Sequence, residues 1–190
     1  MGYEFELKFR ATEAAQVAIA QDGSWHTVTM ATTYYDTPSG SLSSRRYTLR
    51  RRLENGVSIC TLKTPAGELG RGEWETECDT IEAAIPMLCK LGCPAHLPEL
   101  TGEGLVPVCG ARFTRQASTL EVDGTVLEIA LDKGILFAGE KEIPLCEVEV
   151  ELKEGSREQA AAYALALAHQ HGLQPEPASK FKRALSLKEA

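Results

Sequence analysis

Alternation of charge and hydrocarbon near both ends of the sequence predicts an α+β fold, in which a β-barrel with an ionic interior is covered outside by helices. The run Glu4-Phe5-Glu6-Leu7-Lys8-Phe9 puts three charges on one side of a strand and three apolar side chains on the other. The same arrangement returns as Glu147-Val148-Glu149-Val150-Glu151-Leu152, and strands between repeat it with arginine, lysine or glutamate. A sheet that gathers charges on one face and must cover its apolar face is most economically read as curled on itself, charges inside.

The elements follow in order. A strand over residues 3–10 leads to a short helix that Thr12 can cap. Residues 25–35, rich in Thr, Val, Tyr and Trp, form a strand ending at the turn Asp36-Thr37-Pro38-Ser39-Gly40. Strands at 47–53 and 57–63 flank Glu54-Asn55-Gly56, a hairpin signal. Residues 70–78 give another strand, and 80–91 a helix bent or interrupted near Pro86. After a connection punctuated by Gly and Pro over 92–107 come strands at 111–122, 125–132 and 135–137, with Asp123-Gly124 and Lys133-Gly134 as tight turns between them. The strand at 147–152 precedes the capping box Ser156-Arg157-Glu158-Gln159 and an Ala-rich helix over 157–171, closed by Gly172. A short basic helix follows from Ser179. No repeat or linker divides the sequence, so residues 1–190 are expected to form one domain.

Composition narrows the function. A formal charge of −7 argues against a nucleic-acid partner, which would call for a basic footprint. No apolar run is long enough to span a bilayer, and Met1-Gly2-Tyr3-Glu4 reads as strand rather than leader, so a cytoplasmic protein without a membrane partner is expected. The six cysteines lack the density of a disulfide scaffold. Cys89, Cys93 and His96 lack a second ligand pair for zinc, and core packing is the better reading. His26, His96, His169 and His171 have no metalloprotease spacing, and there is no phosphate-cradling glycine loop.

Strand parity then gives the inward set. Glu4, Glu6 and Lys8 oppose Phe5, Leu7 and Phe9; Arg50 and Arg52 oppose Leu49 and Leu53; Lys63 opposes Leu62. Glu73 and Glu75 oppose Trp74, Glu128 and Asp132 oppose Ile129 and Leu131, and Glu147, Glu149 and Glu151 oppose Val148, Val150 and Leu152. Any one such strand could be the solvated face of an ordinary sheet. Across six strands, however, the signs segregate. Carboxylates this dense must be protonated, paired or bound to metal, and hard divalent cations suit oxygen ligands. A polyanion would in turn satisfy Lys8, Arg50, Arg52 and Lys63, since guanidinium forks match phosphate oxygens. These residues describe a site for metal and polyphosphate.

Glu4-x-Glu6-x-Lys8 resembles the signature of the CYTH domain, or triphosphate tunnel metalloenzymes. The resemblance continues through Tyr34-Tyr35-Asp36-Thr37, Leu49-Arg50-Arg51-Arg52, Thr61-Leu62-Lys63, Arg71-Gly72-Glu73-Trp74-Glu75, Glu128-Ile129-Ala130-Leu131-Asp132, Glu147-x-Glu149-x-Glu151 and Ser179-Lys180-x-x-Arg183. It covers nearly the whole sequence in order and is most similar to the bacterial inorganic triphosphatase branch. What it implies is an eight-stranded antiparallel barrel forming a triphosphate tunnel, with Mg²⁺ or Mn²⁺ as cofactor and water as nucleophile. By position, Lys8, Arg50, Arg52, Lys63, Arg115, Lys180 and Arg183 would bind phosphates. Glu4, Glu6, Glu149 and Glu151 would bind metal, with Glu73, Glu75, Asp132 and Glu147 as further metal residues that complete the acidic wall and a second metal site. Lys8, Arg52 and Glu149 would matter most for catalysis. Where relatives often carry Lys-x-Arg, this sequence has Phe113-Thr114-Arg115; Arg112 is the substitute to consider, although parity points it outward.

The expected activity is metal-dependent hydrolysis of a triphosphate-containing small molecule, foremost tripolyphosphate. Thiamine triphosphatase and class IV adenylyl cyclase are the enzymatic rivals, separable by products. A non-catalytic polyphosphate-binding module is the rival of another class, separable by phosphate release in the presence of Mg²⁺.

Overall fold

A computed structural model describes residues 2–65 and 71–188, side chains of residues 2–4 excepted. Its strands are β1 (Gly2–Glu4), β2 (Glu6–Arg10), β3 (His26–Asp36), β4 (Thr48–Glu54), β5 (Val57–Pro65), β6 (Arg71–Glu77), β7 (Val106–Val122), β8 (Thr125–Ala138), β9 (Lys141–Glu154) and β10 (Gln174–Pro175). The helices are α1 (Glu13–Ile19), α2 (Ile81–Lys90), α3 (Leu97–Leu100), α4 (Arg157–His171) and α5 (Lys180–Ser186).

The strands form one antiparallel sheet in the order β1-β6-β5-β4-β3-β7-β8-β9-β2-β10. This corrects the expected eight-stranded barrel: among the described residues there are ten strands, and the ladder order has two ends rather than closing on itself. The cause lies at Phe5. Residues before it pair with β6, while those after it pair with β9. Phe5 itself accepts a backbone hydrogen bond from Leu152 N at 2.9 Å. The two sides of the sheet are therefore tied by one covalent run, residues 2–10, and the sheet curls round its charged face.

Most local signals act as the residues suggest. Thr12, Thr80, Ser156 and Ser179 each cap a helix, their hydroxyls accepting from the backbone N–H three residues on. Asn55-Gly56 and Asp123-Gly124 turn with positive φ at all four residues. Two signals act differently. Helix α2 runs unbroken through Pro86, which lies on its exposed side. Lys133-Gly134 is no turn at all, because β8 continues through it. A Cβ at Gly134 would lie 2.1 Å from Arg112 O and 2.6 Å from Phe113 Cα, so glycine here permits close approach of β7.

Three apolar clusters hold the fold. Helices α1 and α4 cover β2, β8 and β9 through Ile19, Ala164, Leu167, Ile129 and Val148. Helices α2 and α3 cover β4 to β6 through Ile81, Leu88, Leu97, Leu62 and Trp74. The third cluster joins Met30, Tyr34, Ala111, Phe113, Leu136, Leu145 and Ala184. By parity its β7, β8 and β9 members share the face of Arg115, Asp132 and Glu147. The interior is thus not ionic throughout: α5 and this cluster fill one end, and charges occupy the rest.

Candidate active site

The unfilled part of the interior is a cavity of about 350 Å³, with charged side chains arriving from β2, β4, β5, β6, β7, β8, β9 and α5. Its basic wall comes from β4 and its neighbours. Arg52 is only 6% exposed, and its Nε donates to Thr32 Oγ1 at 2.9 Å; the Glu54 carboxylate stands 3.5 Å from Nη1. Burial, then the charges of Arg50 and Arg115, push the Arg52 guanidinium down to about 10. Lys8 faces Glu149 in register, yet burial outweighs the pull of Glu149 and Glu6 and lowers its pKa. Arg50 lies 3.9 Å from Glu73, its buried Nε without a hydrogen-bond partner among the described residues, and Lys63 lies 3.4 Å from the same carboxylate. Within this wall, burial outweighs the nearby carboxylates for Lys8 and Arg52.

Beyond it lies a different arrangement. Lys180 Nζ is 2.8 Å from Asp132 Oδ2, 2.7 Å from Glu147 Oε2 and 2.6 Å from Glu149 Oε1. Arg115 donates both Nε and Nη2 to Asp132 at 2.7 Å, and Nη2 to Glu149 Oε2 at 2.5 Å. Arg183 pairs with Glu147 from the next turn of α5. Register explains the convergence: Arg115 pairs with Asp132, and Asp132 with Glu147. Lys180 begins α5, where the helix dipole disfavours a cation, so its place depends on these carboxylates. Burial lowers Lys180, but Asp132 and Glu149 more than restore it and leave its pKa raised. Burial likewise pushes Glu149 up, and Lys180 with Arg115 overcomes it, holding the carboxyl well below its usual range.

Asp132 and Glu147, read from the sequence as part of the acidic wall, are fully buried in this cluster and do not line the cavity. One oxygen each of Asp132, Glu147 and Glu149 lie within 4.8 Å of one another, a spacing a metal could bridge, but the Lys180 ammonium sits among them. The donors better suited to Mg²⁺ or Mn²⁺ lie toward the other side. Glu6 and Glu128 flank Glu151 in register across β2, β9 and β8, and all three line the cavity. Three hard carboxylates abreast match the donor chemistry of such ions. Glu73 and Glu75 reach the same cavity from β6, Glu75 receiving a hydrogen bond from Thr61 at 3.1 Å. The side chain of Glu4 lies outside the described residues.

Several inward residues went unread in the sequence. Arg71, Glu54 and Lys153 line the cavity, each two positions along from a residue that parity had assigned inward. Gln16 is subtler. From α1 it donates to the backbone oxygens of Asp132, at 3.0 Å, and Glu147, at 2.8 Å, clamping the strands behind the buried cluster. Phe113 stands where relatives were expected to carry lysine, and its ring centroid lies 5.7 Å from the Arg52 guanidinium, 5.9 Å from that of Arg115 and 5.5 Å from Lys180 Nζ. Arg112 is no substitute, since it pairs with Glu142 on the outer surface. Cys89 and Cys93 pack with the α2 core, their sulfurs 3.7 Å apart, while His96 meets the Tyr47 hydroxyl.

The curled antiparallel sheet thus encloses a cavity lined by both basic and acidic side chains. The CYTH domain family matches residues 2–185, and the chain belongs to that family. It is 30% identical over 158 residues to the inorganic triphosphatase of Haemophilus influenzae, covering 81% of this chain and 44% of that protein. It thus spans less than half the length of that relative. Among solved structures, Hippeastrum HpAC1, a candidate adenylyl cyclase with a dominant triphosphatase activity, superposes with a TM-score of 0.67 at 20% identity over 97% of this chain and 96% of that one. The PH1819 protein of Pyrococcus horikoshii gives 0.66 at 20% identity, covering 99% and 100%. These structures share the fold.

Proposed function

We propose that the chain hydrolyses triphosphates with the help of Mg²⁺ or Mn²⁺, and that inorganic tripolyphosphate, yielding pyrophosphate and phosphate, is its preferred substrate. The observation that carries this reading is the incompletely compensated basic wall: Arg52 is buried and Lys8 half-buried beside the cavity, burial lowering the pKa of both despite nearby carboxylates, and half-buried Arg50 adds an Nε with no hydrogen-bond partner among the described residues. Such groups gain more from an arriving phosphate than from water or from the protein. In this reading Lys8, Arg50, Arg52 and Lys63 hold and align the phosphate chain, and Arg115 and Lys180 present the remainder of their charge from the buried cluster. A divalent ion held by Glu6, Glu128 and Glu151, with Glu4 and Glu149 as further candidates, supplies neutralisation of phosphate charge. No side chain is required as nucleophile, and alignment plus charge stabilisation is the chemistry that phosphoryl transfer needs. The inorganic triphosphatase relative supports the substrate class.

A second reading rests on the uncharged lining. Val28, Met30, Tyr34 and Phe181 also reach the cavity, Tyr34 and Phe181 with ring centroids 5.2 Å apart. That strip suits an organic group on one end of a triphosphate, as in thiamine triphosphate or ATP. Tripolyphosphate, ATP, thiamine triphosphate and pyrophosphate assayed with Mg²⁺ and with Mn²⁺ separate the readings. Tripolyphosphate should be fastest and pyrophosphate, too short to reach both walls, poor. Preference for an organic triphosphate, or formation of cyclic AMP, selects the second reading; turnover of none of them removes both.

A further inference from the structure

The acidic row contains its own cation. Strand β9 continues past Glu151 with a register shift against β8, Leu127 pairing with Leu152 and Val126 with Glu154, and at this irregularity Lys153 lines the cavity. Its Nζ lies 2.9 Å from Glu151 Oε2 and 3.4 Å from Glu128 Oε1. Those carboxylates are two of the three in register across β2, β9 and β8. The ammonium therefore stands against the oxygens best placed to receive a divalent ion. Lys180 is locked among its carboxylates with a side chain 7% exposed, whereas the Lys153 side chain is 40% exposed. A flexible four-carbon stem at that exposure can carry the charge out to water without disturbing the sheet.

We propose that Lys153 is an internal counter-cation which a divalent metal must displace from Glu128 and Glu151, so that it sets the metal concentration at which the site fills. Without it, carboxylates on adjacent strands would repel one another across the ladder. With it, they are neutralised until an ion of higher charge replaces the ammonium. The metal-free fold is then tolerated at the cost of weaker metal binding. This rests on the assignment of Glu6, Glu128 and Glu151 as metal ligands.

Direct binding of Mn²⁺ to the full chain without substrate, read by the electron paramagnetic resonance of free Mn²⁺ at fixed ionic strength, tests it. The parent, Lys153→Met and Lys153→Arg are to be compared, with thermal midpoints recorded to confirm that each is folded. Lys153→Met should bind Mn²⁺ more tightly than the parent, on the order of tenfold for loss of one partly exposed competing charge. Lys153→Arg, which keeps the charge and can pair with both carboxylates, should bind no more tightly than the parent. Unchanged or weaker binding by Lys153→Met, with the parent binding measurably, would overturn the displacement proposal and leave the metal site standing. Absence of Mn²⁺ binding in all three would overturn both.

Discussion

Arg52 and Arg115 approach the same Phe113 ring at nearly the same distance, yet their circumstances are opposite. Burial works against both. For Arg115 the charges of Glu149 and Asp132 reverse that penalty, and its pKa stands well above the ordinary value. Arg52 has a threonine hydroxyl and a single Glu54 carboxylate at 3.5 Å, with Arg50 and Arg115 adding repulsion, and it falls to about 10. A buried charge with partners serves the fold; a buried charge without them is held there by the rest of the structure and is available to a ligand. The boundary between the buried cluster and the open wall runs through Phe113.

Breaking the buried cluster should produce the largest effect. Lys180→Met removes the ammonium shared by Asp132, Glu147 and Glu149, and urea unfolding at neutral pH should show a loss of about 3–5 kcal/mol, as expected when one partner of a buried charge network is deleted. The pH dependence should change with it. Because the folded Glu149 carboxyl is held below its ordinary value of 4.5, its contribution is present above that pH and is lost as pH falls toward the lowered pKa. Parent stability should therefore drop on acidification below about 4.5, and Lys180→Met should show a shallower drop.

The open wall should respond the other way. Arg52→Met is expected to lower kcat/KM for tripolyphosphate by roughly 10²–10³, the scale of losing one preorganised charge donor. Its ligand-free thermal midpoint should equal or exceed that of the parent, because a poorly compensated buried charge has gone. A marked loss of stability would place Arg52 with the structural cluster.

Effects at the acidic row should be smaller. Glu6→Gln keeps size and one acceptor oxygen but loses charge, so a Mg²⁺ titration of activity should shift several-fold to higher concentration. Superimposable titrations would remove Glu6 from the metal site. Smallest of all is Arg112→Ala, which breaks an exposed pair with Glu142; stability should change by no more than about 0.5 kcal/mol and turnover not at all.

Parity carried the sequence a long way because a strand's side chains alternate wherever it runs without a bulge. It placed Glu6, Lys8, Arg50, Arg52, Lys63, Glu73, Glu75, Glu128, Glu149 and Glu151 on the cavity face. It also contained Arg71, which stands in the quoted run Arg71-Gly72-Glu73-Trp74-Glu75 but was given no role, and Lys153, which lies just past the run that ends at Leu152. What parity cannot give is depth along the strand. Asp132 and Glu147 lie on the inward face but at the level of the apolar cluster, where α5 delivers Lys180 and Arg183 between them. That depth depends on how far α5 enters the curled sheet, which no local pattern encodes. Gly134 misled for a related reason: a glycine demanded by close approach of β7 reads, in one dimension, as a turn. The break at Phe5 was equally hidden, since residues 3–10 alternate smoothly while their hydrogen-bonding partners change from β6 to β9.

The central claim, that the incompletely compensated basic wall rather than the tightly paired cluster receives the phosphate chain, is tested most directly by calorimetric titration of a non-hydrolysable tripolyphosphate analogue in the presence of Mg²⁺. Parent and Arg52→Met should both be folded, the parent should bind, and the variant should lose most of that affinity. Equal affinity in the two proteins would contradict the claim and return the phosphate site to the Lys180 cluster.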